Sequence, residues 1–164
     1  VYTISIIPTG IGAAGYTMPL PENDDIFSTK NKMLQDITTL LGGRVAEEII
    51  FGDITTGASN DIKRATSTAR AMVMQYGMSD KMGLIAYGDE GDEVFIGRDL
   101  AHTRSYSEEV AKEIDEEIHR IIDECHQRAK EIIMQHLDVL HKCSALLLEK
   151  EKVHRDEFEA LFTS

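Results

Sequence analysis

The feature that most constrains this fold is an apolar stripe in the last third of the chain. Val110, Ile114, Ile118, Ile121, Cys125, Ala129, Ile132 and Ile133 recur at steps of three and four, the spacing that gathers side chains on one face of an α-helix. Ser105 or Ser107 stands where a helix cap belongs. About 30 residues at 1.5 Å each make a rod of roughly 45 Å. Such a helix hides its stripe only against other elements, and the rest of the chain offers mostly helices.

The next strongest pattern predicts a helix over residues 29–51. It starts at a Ser28 or Thr29 cap, runs through Met33, Ile37, Leu40, Leu41, Val45, Ala46, Ile49 and Ile50, and stops at Gly52. Gly42 and Gly43 inside it suggest that something packs closely there. Residues 53–57 read as a turn. Residues 58–76 read as a second helix, with Ile62, Ala65, Ala69, Met72 and Val73 on one face and Gly77 as its stop. A helical run over 137–149 follows a bend, and 156–162 is a final short helix. Strands are expected at 1–7 and 16–20, joined by a glycine turn over 9–15. Pro19 and Pro21 place the second of these at a sheet edge. Residues 21–25 read as a polar loop, and 78–104 as irregular with strand-like pieces at 84–87 and 93–96. The acidic run at 88–93 reads as a solvated loop. The fold class is mainly α: a helical bundle with a small N-terminal β-sheet and one long C-terminal helix.

Length and charge bound the function. A chain of 164 residues makes one domain, or one with an extension. Its net charge of −12 argues against a nucleic-acid partner. Residues 1–79 hold 6 basic and 8 acidic side chains, and residues 80–164 hold 11 and 21, so the acidic half reads as a solvated outer surface. Cys125 and Cys143 are two isolated thiols, expected to be buried and inert, and no disulfide framework is possible. No apolar run approaches the length that crosses a bilayer, and no signal-peptide pattern is present. The chain opens on VYTISII without Met, as a piece of something longer would.

Few residues carry recognisable chemistry. GIGAAG at 10–15 matches a dinucleotide fingerprint, but the residues after it are extended where that fingerprint needs a helix, so a hairpin turn is the expectation. All six histidines lie at position 102 or later, and none pairs at the i, i+4 spacing of helical metal ligands. Surface or interface roles are expected for them. Glu47 and Glu48 precede Ile49 and Ile50, so one of them should turn inward and find a partner; the alternative is a solvated pair with Arg44. Asp61 falls in the first turn of the second helix, near free N–H groups and the positive end of the dipole. That keeps a carboxylate ionised and suits a hard metal ligand, although a residue in this position is more often a plain helix start.

Together GGRVAEEIIFG and TTGASNDIKRAT, in residues 42–66, resemble the peptidase domain of the FtsH family. The likeness extends through VYTISIIP, GAAGYTMPLP, ARAMVMQYGMSDKMG and RSYSEEVAKEIDEEIHRIIDECHQRAKEII, in order and over nearly the whole chain. The resemblance implies a membrane-anchored, ATP-dependent zinc metalloprotease, a ring-shaped hexamer at the cytoplasmic face of a bacterial-type membrane that degrades unfolded or misassembled polypeptides. It places a zinc-ligating aspartate on Asp61, a glutamate close to the metal on Glu47, and a substrate-binding edge strand on Gly15, Tyr16, Thr17 and Met18. It also implies two histidine ligands and a general-base glutamate on a His-Glu-x-x-His helix, which is absent from these 164 residues. The ATPase module, which would hold ATP, and the membrane anchor are expected further upstream. The expectations are therefore an incomplete peptidase domain over residues 1–164 that is inactive by itself, binds no zinc tightly, and exposes apolar surface beside the 29–51 and 58–76 helices. The reading from a different class is a non-catalytic helical interaction module.

Overall fold

The computed structural model describes residues 1–7, 15–18, 27–87 and 106–163. Five helices and three short strands are ordered β1 (Thr3–Ser5), β2 (Tyr16–Met18), α1 (Lys30–Phe51), α2 (Ser59–Met74), α3 (Glu108–Gln135), α4 (Leu137–Lys150), β3 (Lys152–His154) and α5 (Arg155–Ala160). A single 3-10 turn, Thr56–Ala58, precedes α2. The described residues bear out the mainly α class. None of their helices is long and apolar enough to cross a membrane. The chain divides into two units, Ser28–Glu131 and the two ends Val1–Phe27 with Ile132–Ser164.

The first unit is built on α1, α2 and most of α3. Thr29 caps α1: its hydroxyl accepts the Lys32 N–H at 3.2 Å, satisfying one of the donors a helix start leaves free. Gly52, at φ 62°, ends the helix in the left-handed conformation that glycine takes without strain. Ile37 and Leu41 of α1, Ala65, Ala69, Met72 and Val73 of α2, and Ile114, Ile118, Ile121 and Cys125 of α3 form one buried cluster, closed by Met82 from the 75–87 loop. Each large side chain there contributes about 1.5–3 kcal/mol of apolar burial.

A polar lock fastens that loop to α3. Glu117 is only 4% exposed. Its carboxylate accepts the Ser79 hydroxyl at 2.6 Å and the Arg120 Nε and Nη2 hydrogens at 3.0 Å each. The Ser79 oxygen in turn accepts the Met82 N–H at 3.1 Å. Arg120, and secondarily Ser79, hold the Glu117 carboxyl below the usual range against the opposing effect of burial.

The second unit is an antiparallel sheet in the order β2-β1-β3, with α4 and α5. In it Thr3 pairs with Met18 on one side and His154 on the other, and Ser5 with Tyr16 and Lys152. A Cβ on Gly15 would stand 2.4 Å from the Ser5 carbonyl oxygen, so only glycine lets the chain enter β2 this close to β1. Val153 is fully buried. His154 caps α5, and Glu157 accepts the His154 N–H at 3.1 Å.

Several expectations are corrected here. The small N-terminal sheet of β1 and β2 is present and carries one strand more than expected, β3, which lies between α4 and α5. Residues 84–87 are not a strand; Tyr87 donates one backbone bond to Met74, and Leu84 is exposed. Ile62 lies off the buried face of α2, and Ile132 off that of α3, both half-exposed. Gly42 and Gly43 have nothing within 4 Å of an added Cβ, so among the described residues nothing packs on them. Ser107 is the described cap of α3, its hydroxyl accepting the Val110 N–H. The GIGAAG glycines before Gly15, Leu20 with the prolines at 19 and 21, the 21–25 loop, the 88–93 acidic run, the 93–96 strand, Ser105 and His102 lie outside the described residues. Directly after Gly15 the chain forms β2, a strand, where a dinucleotide site needs a helix.

Candidate functional site

Arg44 and Glu47 stand three residues apart on α1, the spacing that brings two side chains to one helix face. Both reach the same residue, Thr55, in the loop that leads to α2. Arg44 Nη2 donates to the Thr55 carbonyl at 2.9 Å. The Glu47 carboxylate accepts the Thr55 hydroxyl at 2.6 Å and the Thr55 N–H at 3.2 Å. These two bonds, the hydroxyl's first, hold the Glu47 carboxyl below its ordinary range. The Thr55 oxygen accepts the Gly57 N–H at 3.1 Å and so caps the 3-10 turn. Gly57 fits closely here, since a Cβ on it would lie 3.2 Å from the Thr55 hydroxyl.

Glu48, the other half of the pair, faces α3. Its carboxylate lies 3.1 Å from His126 Nε2, with both side chains half-buried. Glu48 is thus the one of the pair that turns inward and finds a partner, although neither glutamate is fully buried. Nor do they form a solvated pair with Arg44, because that guanidinium turns to Thr55. His126 and Thr55 are the partners that sequence reasoning did not find. They lie 78 and 8 residues from their glutamates, and no helical period connects them.

Asp61 lies in the first turn of α2. Its side chain is 45% exposed, and Arg64 Nη1 stands 3.8 Å away, an open ion pair one turn along rather than a hydrogen-bonded lock. A half-exposed carboxylate near the free N–H groups of a helix start fits one oxygen-ligand position of a divalent ion. Among the described residues no group of three or more His, Cys, Asp or Glu could hold a metal. Asp61 therefore fits as one ligand and not as a site. Ile50 and Phe51 at the end of α1, and Ile54 between α1 and the 3-10 turn, are exposed apolar side chains. Cys125 and Cys143 are both buried, and burial raises both thiols.

The family model of peptidase family M41 matches residues 1–161. The chain belongs to peptidase family M41. Among its M41 relatives are the ATP-dependent zinc metalloprotease FtsH of Caldicellulosiruptor bescii, 55% identical over 161 residues (98% of this chain and 26% of the relative), and FtsH 1 of Thermoanaerobacter sp., 52% identical over 162 residues (99% and 26%). The FtsH of Thermotoga maritima is 50% identical over 163 residues (99% and 27%). The likeness read from GGRVAEEIIFG and TTGASNDIKRAT is thus the likeness found across the chain. This M41 chain spans about a quarter of the length of the curated relatives it matches.

Proposed function

We propose that these 164 residues are the C-terminal part of the peptidase domain of an ATP-dependent zinc metalloendopeptidase. In this reading Asp61 is one of three protein ligands, and two histidines of a His-Glu-x-x-His segment outside these residues are the others. The observation that carries the reading is the M41 match over residues 1–161, with Asp61 half-exposed at a helix start inside the matched span. When bound, zinc supplies Lewis acidity, lowering the pKa of a water and polarising the scissile carbonyl.

The chain's own residues do the rest of their work by placement. α2 presents Asp61 with its charge favoured by the helix dipole. Glu47 holds Thr55, in the loop that leads to α2. β2 is the outer strand of its sheet, and its residues Tyr16, Thr17 and Met18, entered through Gly15, offer backbone groups to which an extended polypeptide adds as a further strand. The substrates are unfolded or misassembled proteins, and ATP acts in a separate module of the same protein. That protein is a hexamer anchored in a bacterial-type membrane with this domain on the cytoplasmic side, and the anchor is its only membrane contact. The names of the relatives support zinc, ATP and proteolysis. The 164 residues alone supply one ligand and no general base of the His-Glu-x-x-His type, so they hydrolyse nothing.

The test is proteolysis of a fluorescently labelled unfolded polypeptide by the full-length protein with ATP and zinc. Cleavage that is abolished in Asp61→Asn supports the reading. Cleavage at the wild-type rate by Asp61→Asn, or by the isolated 164 residues, overturns it.

A further inference from the structure

We infer that Arg44, with Glu47, is a positioning residue: the two clamp Thr55 and thereby fix where α2 presents Asp61. The inference rests on the reading of Asp61 as a metal ligand and adds what sets its place.

Thr55 is held at every polar atom it has. Its carbonyl accepts from Arg44, its N–H and hydroxyl both go to Glu47, and its hydroxyl oxygen also takes the Gly57 N–H. From there the chain has no slack before the ligand. Residues 56–58 form the 3-10 turn, the Ser59 N–H bonds to the Thr56 carbonyl, and α2 begins at Ser59 with Asp61 in its first turn. A rotation of Thr55 therefore moves the start of α2 as one body. Both arms of the clamp come from a single face of α1, whose own position is fixed by the fully buried Ile37 and Val45.

Arg44 carries a second sign that it is not an ordinary surface cation. Its Nε and Nη1 are shut off from solvent and find no hydrogen-bond partner among the described residues. A guanidinium desolvated that far is costly to keep. Helix propensity and solubility do not require it, whereas a fixed bond from Nη2 to the Thr55 carbonyl does. A lysine cannot reproduce the planar fork that reaches this carbonyl. Groups that stand behind metal ligands typically change metal affinity 10- to 100-fold when removed, and a clamp acting on the backbone ahead of the ligand belongs in that range.

The experiment measures zinc affinity, by competition with a chromophoric chelator, in the full-length protein and in four variants. Each affinity is scaled to the folded fraction found from a melting curve. Thr55→Val keeps the shape and removes the hydroxyl; Thr55→Ser restores the hydroxyl; Arg44→Gln removes the carbonyl donor; Asp61→Asn is the ligand control. The expected result is zinc binding at least ten-fold weaker in Thr55→Val and Arg44→Gln, and within two-fold of wild type in Thr55→Ser. A purely structural role would lower the melting temperature and leave the scaled affinity unchanged. Should Thr55→Val fail to fold, Arg44→Gln decides. If Asp61→Asn loses zinc while Thr55→Val and Arg44→Gln keep wild-type affinity, the clamp is refuted and the metal reading survives. If Asp61→Asn itself keeps wild-type affinity, both fall.

Discussion

Replacing Glu117 with glutamine puts the lock between the 75–87 loop and α3 to a quantitative test. The substitution preserves volume, so no cavity is made. It changes the bond from the Ser79 hydroxyl from one with a full carboxylate, worth about 1.5–3 kcal/mol, to a neutral one worth about 0.5–1.5, a loss of about 1 kcal/mol. It also removes the paired bonds from Arg120. That guanidinium is 44% exposed and keeps Glu124 at 2.7 Å, so this loss is that of a partly solvated ion pair, about 0.5–1 kcal/mol. The sum is about 2 kcal/mol. For a chain of this size that lowers the melting temperature by about 4–8 °C. Urea unfolding followed by the helical circular-dichroism signal gives the free energy, and a cycle with Ser79→Ala gives the coupling, expected at about 1 kcal/mol. A loss under about 0.5 kcal/mol, or additive single and double mutants, would show that the lock is a solvated surface pair and that the burial argument fails.

The same carboxylate makes stability depend on pH. Because Arg120 and Ser79 lower its folded pKa, its contribution is complete above the ordinary glutamate value of about 4.3 and drains away as pH falls through the folded one; Glu117→Gln should flatten the acid limb of a stability-against-pH curve, and an unchanged limb would contradict this. Gly15→Ala should disrupt the pairing of β1 with β2, since the new Cβ meets the Ser5 carbonyl at 2.4 Å; loss of amide protection at Thr3, Ser5 and Met18 in hydrogen exchange is the readout, and retained protection would refute it. Gly42→Ala should stabilise the isolated chain by about 0.8–1 kcal/mol through helix propensity, because the added methyl meets nothing within 4 Å; a lower denaturation midpoint would mean that this face of α1 is covered.

The helices were legible because their apolar residues repeat with the helical period and their ends carry local chemistry, Thr29 and Gly52 for α1 and Ser107 for α3. Period-based reading fails where a contact has no period. β3 is three residues long, with one buried side chain, Val153, between Lys152 and His154; its partner in β1 is some 150 positions away. Glu117 sits on the apolar stripe, three residues after Ile114 and four before Ile121, so its burial was readable in principle. Its charge hid it, and its partner Ser79 lies 38 positions back. At the candidate site, the placement of Asp61 at a helix start followed from the residues themselves. The Thr55 clamp did not, because hydrogen bonds across a loop leave no mark on hydrophobic patterning.

The central claim is that Asp61 is one of a small set of ligands to a single zinc ion. Elemental analysis of the full-length protein after exhaustive dialysis, wild type beside Asp61→Asn, tests it most directly. One equivalent of zinc per chain in the wild type, and loss of nearly all of it in the folded variant, is the predicted result. A full equivalent retained by Asp61→Asn would contradict the claim.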